Sequence, residues 1–159
     1  MYSEVDADLL LTAALLHDIG KVDEIEHGIG IEYTTGGRLI GHVILGEHRI
    51  RDAVAACPMR IDDGLVMRLC HAVLSHHGEL EWGAPKRPST LEALLLHHAD
   101  NLDAKASGFI EILSGASALD ERWTDAHNLF RRPLFAPMAA EDERSTPAHE
   151  DDQFGRRTA

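Results

Sequence analysis

Basic side chains are scarce in this 159-residue chain: 15 lysines and arginines stand against 27 acidic residues, a formal net charge of −12. Affinity for a phosphate backbone comes mainly from cations that release counterions, so this balance disfavours a stand-alone grip on nucleic acid. A polynucleotide would need metal ions or another domain to be held. Cysteine is also rare. Cys57 and Cys70 lie in apolar helical contexts without CxxC spacing, which excludes a disulfide framework and suits reduced core residues of a cytoplasmic protein. Long hydrophobic runs are missing: the apolar stretch from Leu9 to Leu16 is far short of the roughly 20 residues that span a bilayer. The start, MYSEVDAD, is acidic where a signal peptide is basic, so neither secretion nor a membrane partner is expected. Internal repeats are missing as well. What remains, with 44% hydrophobic residues, is enough for one core; the expected layout is a single domain over 1–137 and a disordered polar tail over 138–159.

Apolar periodicity predicts a mostly helical, all-α chain. Leu9, Leu10, Ala13, Leu15 and Leu16 recur at helical spacing behind Asp6 and Asp8, giving a first helix that reaches about His17 and stops by Gly20. The following stretch, VDEIEHGIGIEYTT, alternates briefly and is broken by glycines, which predicts a small non-helical hairpin. A second helix is expected from Gly36-Gly37 to about Ala56, ended by Pro58, and a third behind Asp62-Asp63 that carries His76 and His77 in its last turn. After a loop over residues 79–88, Ser89 and Glu92 have capping-box spacing and open a long helix with Asp100 in its middle. A short amphipathic piece around Leu119 to Leu129 closes the ordered part.

The chemistry lies in four separated segments: AALLHDIGK, LIGHVILG, LSHHG and HHADNLDAK. His17-Asp18, His42, His76-His77 and Asp100 are each a nitrogen or oxygen donor beside an apolar run. A charged group inside an apolar helix is costly unless paired or bound to a cation, and Asp100 interrupts a run of leucine and alanine. Mixed imidazole and carboxylate donors suit Mn, Fe, Co, Ni or Zn better than Mg or Ca. An Asp beside a His can bridge two ions, and such a centre activates water and clamps a phosphoryl oxygen. Asp18 is therefore both ligand and catalytic candidate, with Lys21, one turn on, supplying positive charge for substrate phosphate. Adjacent helical residues diverge by about 100°, so His76 and His77 can both face one point only if the helix end loosens; a helix-end histidine also commonly just bonds a carbonyl. His76 is the safer ligand. Lys105 is a weaker substrate-binding candidate, with an internal helix ion pair as the alternative. His97 and His98 are left unassigned between supporting donors and packed polar tips.

These motifs resemble the HD-domain metal-dependent phosphohydrolases. More narrowly, LLHDIGKVDEI, YTTGGRLIGHVILG, LSHHGELEWGAPKRPSTLEALLLHHADNLDAK and the later RWT resemble the YhaM-type 3′-5′ exoribonucleases, over about Leu9 to Pro137. The resemblance implies an all-helical HD bundle around one or two divalent ions, Mn foremost. By position it implies His17, Asp18, His42, His76, His77 and Asp100 as ligands, with Asp18 bridging and Lys21 near phosphate. It further implies 3′-terminal cleavage of RNA or single-stranded DNA. Two departures are noted: the family's opening histidine ligand has no counterpart before Tyr2, so one metal position is expected to be weaker, and no OB-fold is present. Three alternatives therefore stay open: a small-substrate nucleotidase or phosphatase, a non-catalytic metal-binding module, and a metal-free helical domain with scattered polar core residues. Self-association into a homo-oligomer is also left open.

Overall fold

The computed structural model describes residues 3–28, 30–115 and 122–136. They fall into two compact units, Met1–Phe109 and Ile110–Ala159. The element order is α1 (Ala7–Leu16), α2 (Lys21–Glu24), β1 (Ile25–His27), β2 (Ile31–Tyr33), α3 (Thr35–Leu39), α4 (His42–Ala56), α5 (Asp63–Ser75), a 3-10 turn (Leu80–Trp82) and α6 (Leu91–Gly115). The chain is thus mostly helical, as the periodicity predicts. The hairpin is also present, β1 pairing antiparallel with β2 so that Ile25 faces Tyr33 and His27 faces Ile31.

Side-chain caps set the helix starts. Asp6 accepts from Leu9 N at 3.1 Å, Thr34 from Gly37 N at 2.8 Å and Asp62 from Leu65 N at 2.8 Å; each satisfies an amide that the helix itself leaves without a partner. Three local expectations need correction. Residues 22–24, expected to be non-helical, belong to the short helix α2, because Asp23 and Glu24 both donate their amides back to Gly20. The helix expected to run unbroken from Gly36-Gly37 to Ala56 is two helices. Gly41 separates them with φ of +82°, a backbone conformation that suits glycine. The cap of α6 is Thr90, whose hydroxyl accepts from Ala93 N at 3.2 Å, and not Ser89. Glu92 instead accepts from Asp6 N at 3.0 Å, tying the start of α6 to the start of α1.

The core of the first unit forms around α5. Ala13, Ala72, Ala93 and Leu96 make one cluster, with Leu10 and Leu69 packed on it. Three alanines, one each from α1, α5 and α6, keep side-chain bulk low where those helices meet. Ile50, Cys70 and Val73 make a second cluster with Leu16, Ile19, Val54 and Val66. Cys57 and Cys70 are free thiols. Gly20 sits against α4 so tightly that a Cβ there would lie 2.0 Å from the His42 carbonyl oxygen and 2.5 Å from Gly46 N. The turn after α1 is therefore set directly on the first turn of α4.

In the second unit residues 110–115 end α6, and residues 122–136 form a loop closed by an antiparallel bridge between Trp123 and Phe135. Thr124 N donates to Leu134 O, Ala136 N to Arg122 O, and Asn128 bonds the carbonyls of Asp125 and Arg132. The expected tail, 138–159, and the first residues of the expected amphipathic piece, 119–121, lie outside the described residues. Among those described, no helix is long and apolar enough to cross a membrane.

Candidate metal centre

Asp18 follows His17 in the turn that leaves α1, and four side chains converge on its carboxylate. Oδ2 lies 2.6 Å from Lys21 Nζ and 3.4 Å from His17 Nε2. Oδ1 lies 3.4 Å from His42 Nε2, at the first position of α4, and 3.9 Å from His76 Nε2, at the end of α5. From α6, Asp100 brings Oδ1 to 3.6 Å from His17 Nε2. His77 completes the group. One donor atom from each of His42, His76 and His77 lies within 4.8 Å of the other two, and the His77 ring centre is 4.3 Å from that of His76 and 5.1 Å from that of His42.

The adjacent histidines reach one place because α5 ends at Ser75. His76 is its C-cap and His77 already belongs to the following turn, so the divergence expected within a helix does not apply. The other five predicted donors, together with Lys21, are thus brought around Asp18. Lys105 is not part of this group; the contact it makes is with Trp82, its Nζ standing 5.8 Å from the ring centre.

The far sides of three of the four rings are tied down. His17 Nδ1 bonds Ala14 O at 2.8 Å and His76 Nδ1 bonds Val73 O at 2.6 Å. A carbonyl only accepts, so Nδ1 carries the proton in both rings, and Nε2 is left as the free electron pair aimed at Asp18. His42 is held the same way by Glu24: Oε1 takes the His42 backbone N–H at 3.0 Å and Nδ1 at 3.2 Å. A carboxylate behind a histidine whose other nitrogen is free is the usual support of a metal-ligating imidazole, fixing the tautomer and raising ligand basicity. Two ring nitrogens in the group, His42 Nε2 and His77 Nδ1, are buried without a hydrogen-bond partner. With their inward nitrogens deprotonated, these rings and the anionic carboxylate offer each other no hydrogen bonds. A cation satisfies them all at once, so these residues fit a divalent metal.

The proton equilibria fit the same picture. Without a metal His17 can also take a proton on Nε2: burial pushes the Asp18 carboxyl up, but hydrogen bonds from that protonated ring and from Lys21 outweigh it and hold the group well below the ordinary carboxylate range. The same bond to Asp18 raises His17 against the opposing effect of burial. His76, one per cent exposed, is pushed down by burial to about 4. Burial, and then the neighbouring His42, lower His77. Asp18 is therefore anionic and His76 neutral at pH 7, the states a metal ligand needs.

Two supporting residues are not identifiable from the sequence pattern. Glu24 is 18 residues from His42 and sits in the stretch that reads as a hairpin, so no spacing links the two. His97 donates Nδ1 to His76 O at 2.8 Å, bracing the turn that carries both histidines; its place three residues before Asp100 is the one hint of this.

The HD domain family model matches residues 1–105. The chain belongs to the HD domain family. It is 46% identical over 105 residues to the 3′-5′ exoribonuclease YhaM of Bacillus licheniformis, 47% to that of Bacillus pumilus and 44% to that of Bacillus subtilis, covering 66% of this chain in each case. The match covers about a third of the length of each of these relatives, 33%. No solved structure matches the chain. Membership of this family of metal-dependent phosphohydrolases agrees with the donor cluster: the HD pair is His17-Asp18, at the hub of the group.

Proposed function

We propose that this chain hydrolyses phosphodiester bonds, removing 3′-terminal nucleotides from RNA or single-stranded DNA. The observation that carries the reading is the convergence of His17, His42 and His76 on the two oxygens of Asp18, each ring locked with its free nitrogen inward. In this reading His17, Asp18 and Asp100 form one donor set, His42, His76 and His77 with Asp18 a second, and Asp18 joins them. One ion or two can be held, with Mn the first candidate and Fe, Co, Ni and Zn sharing the donor preference. A divalent ion supplies Lewis-acid polarisation of a phosphoryl oxygen and a ready source of nucleophilic water.

The chain's own residues do the rest. Lys21, half-exposed beside Asp18, meets a non-bridging phosphoryl oxygen and offsets negative charge that grows during the reaction. Glu24 keeps the His42 tautomer fixed, and His97 holds the turn of His76 and His77 in place. The free thiols suit a reducing compartment, so the proposal places the protein in the cytoplasm.

The test is to incubate Mn-loaded protein with a 5′-labelled oligoribonucleotide, its DNA counterpart and mononucleotides. Stepwise shortening from the 3′ end with release of nucleoside monophosphates is expected. Release of inorganic phosphate from mononucleotides, with the oligomers intact, would overturn the exonuclease reading in favour of a small-substrate nucleotidase. The net charge of −12 is the observation on that side, since it resists the approach of a long polyanion.

A further inference from the structure

Trp82 is half-exposed, at 54%, on the turn that directly follows His76 and His77. That turn is well fastened. Trp82 N and Ala84 N both donate to Glu79 O, Gly83 N donates to Leu80 O, and Arg87 Nε bonds the Glu79 carboxylate at 2.7 Å. The indole centre lies 6.0 Å from the ring of His97, which is itself bonded to His76 O. The turn also borders His77, since a Cβ on Gly83, the next residue, would stand 3.8 Å from His77 Nδ1. A large, rigid aromatic face is thus mounted one residue from the donor cluster and left open to solvent, with the exposed ammonium of Lys105 over it. Trp123 makes the contrast: it is equally exposed, but packs edge-on against Phe135 with ring centres 5.3 Å apart.

We infer that Trp82 is a stacking platform for a nucleobase next to the scissile phosphate, and that Lys105 turns from the indole to a neighbouring phosphate when the base arrives. The inference rests on the proposed hydrolysis of nucleic acid and names how the strand is held. Every base has a π-face, so stacking on an indole binds without reading sequence, which suits an enzyme that removes one nucleotide after another. It also provides a grip that needs few basic residues. Lys105, on a long flexible stem, already meets the indole as a cation over a ring, and a phosphate offers it a stronger partner.

The test uses Trp123→Phe protein, so that Trp82 is the one tryptophan, excited selectively at the red edge of its absorption, in chelator and without turnover. Oligoadenylate, adenosine monophosphate and an abasic sugar-phosphate oligomer of equal length are titrated in turn. Quenching by either base-bearing ligand and none by the abasic oligomer is expected; tighter binding of the oligomer assigns the site to a strand, and of the monophosphate to a free nucleotide. In turnover, Trp82→Ala should raise KM for oligoadenylate by roughly 5- to 150-fold, the range for loss of one stacked base. Hydrolysis of the abasic oligomer should not change, and Trp82→Phe should restore most of the loss. Equal quenching by the abasic oligomer, no quenching by any ligand, or an unchanged KM in Trp82→Ala would overturn the inference. If the unmodified protein cleaves nothing, the proposed function fails, and the fluorescence titration still decides on stacking.

Discussion

Replacing Glu24 by glutamine separates what this residue does for folding from what it does for the metal. Its carboxylate is buried, and one oxygen takes both the backbone N–H and the Nδ1–H of His42 at the start of α4. Glutamine keeps an amide oxygen of the same reach, so the backbone donor stays satisfied and Glu24→Gln should cost less than about 1 kcal/mol of stability. The negative charge behind the imidazole is lost, however, and His42 Nε2 becomes a poorer donor. Support of this kind is typically worth 10- to 100-fold in metal affinity, or about 1.4–2.8 kcal/mol. Alanine removes both partners from buried donors and should cost about 1–3 kcal/mol of stability as well. Urea unfolding in chelator reads the first quantity, and competition with a chromophoric chelator for Mn or Co reads the second. Glu24→Gln and Glu24→Ala proteins that both bind metal as the unmodified chain does would refute the reasoning, because His42 would then not depend on its carboxylate.

Asp18→Asn removes the charge shared by every donor and should reduce bound metal, measured by elemental analysis after dialysis, by at least about tenfold; full retention would contradict the convergence drawn above. Gly20→Ala would drive a Cβ into the backbone of His42 and Gly46, and should lower stability toward the upper end of about 1–3 kcal/mol, visible as a drop in the urea midpoint. An unchanged midpoint would show that the turn can move away from α4 at no cost. Acid should weaken the metal-free protein. The unfolded chain takes up a proton on His76 near 6.5 while the folded chain resists until about 4. Stability therefore falls as pH drops through that window, by about 3 kcal/mol in all, with the lowered His77 and His71 adding and the raised His17 opposing. Unfolding free energies in chelator that stay flat from pH 7 to 4.5 would count against the buried, neutral state of His76.

The helical architecture was legible because apolar spacing in α1, α5 and α6 is strong, and Asp6 and Asp62 stand where caps are needed. The candidate donors stood out for a related reason: a His-Asp pair, a His doublet and an aspartate are conspicuous on otherwise apolar segments. What was not legible depends on contacts far apart in sequence. Glu24 gains its meaning only when the turn after α1 is laid on α4. The break at Gly41 was hidden because helical spacing carries on across it, from Leu39 and Ile40 to Val43 and Ile44. Ser89 and Glu92 had the right spacing for a cap, but Thr90 took that place and Glu92 was used to join α1 to α6. Whether His76 and His77 reach one place turned on where α5 ends, a matter of one residue.

Both His17 and His76 are C-caps, each bonding a carbonyl of its own last helical turn, so α1 and α5 point the negative ends of their dipoles at one place. Before anything binds, that place draws dications in and turns anions away, a preference strengthened by the acidity of the whole chain. On the proposed function an order of events follows: inorganic cation first, phosphorylated ligand second.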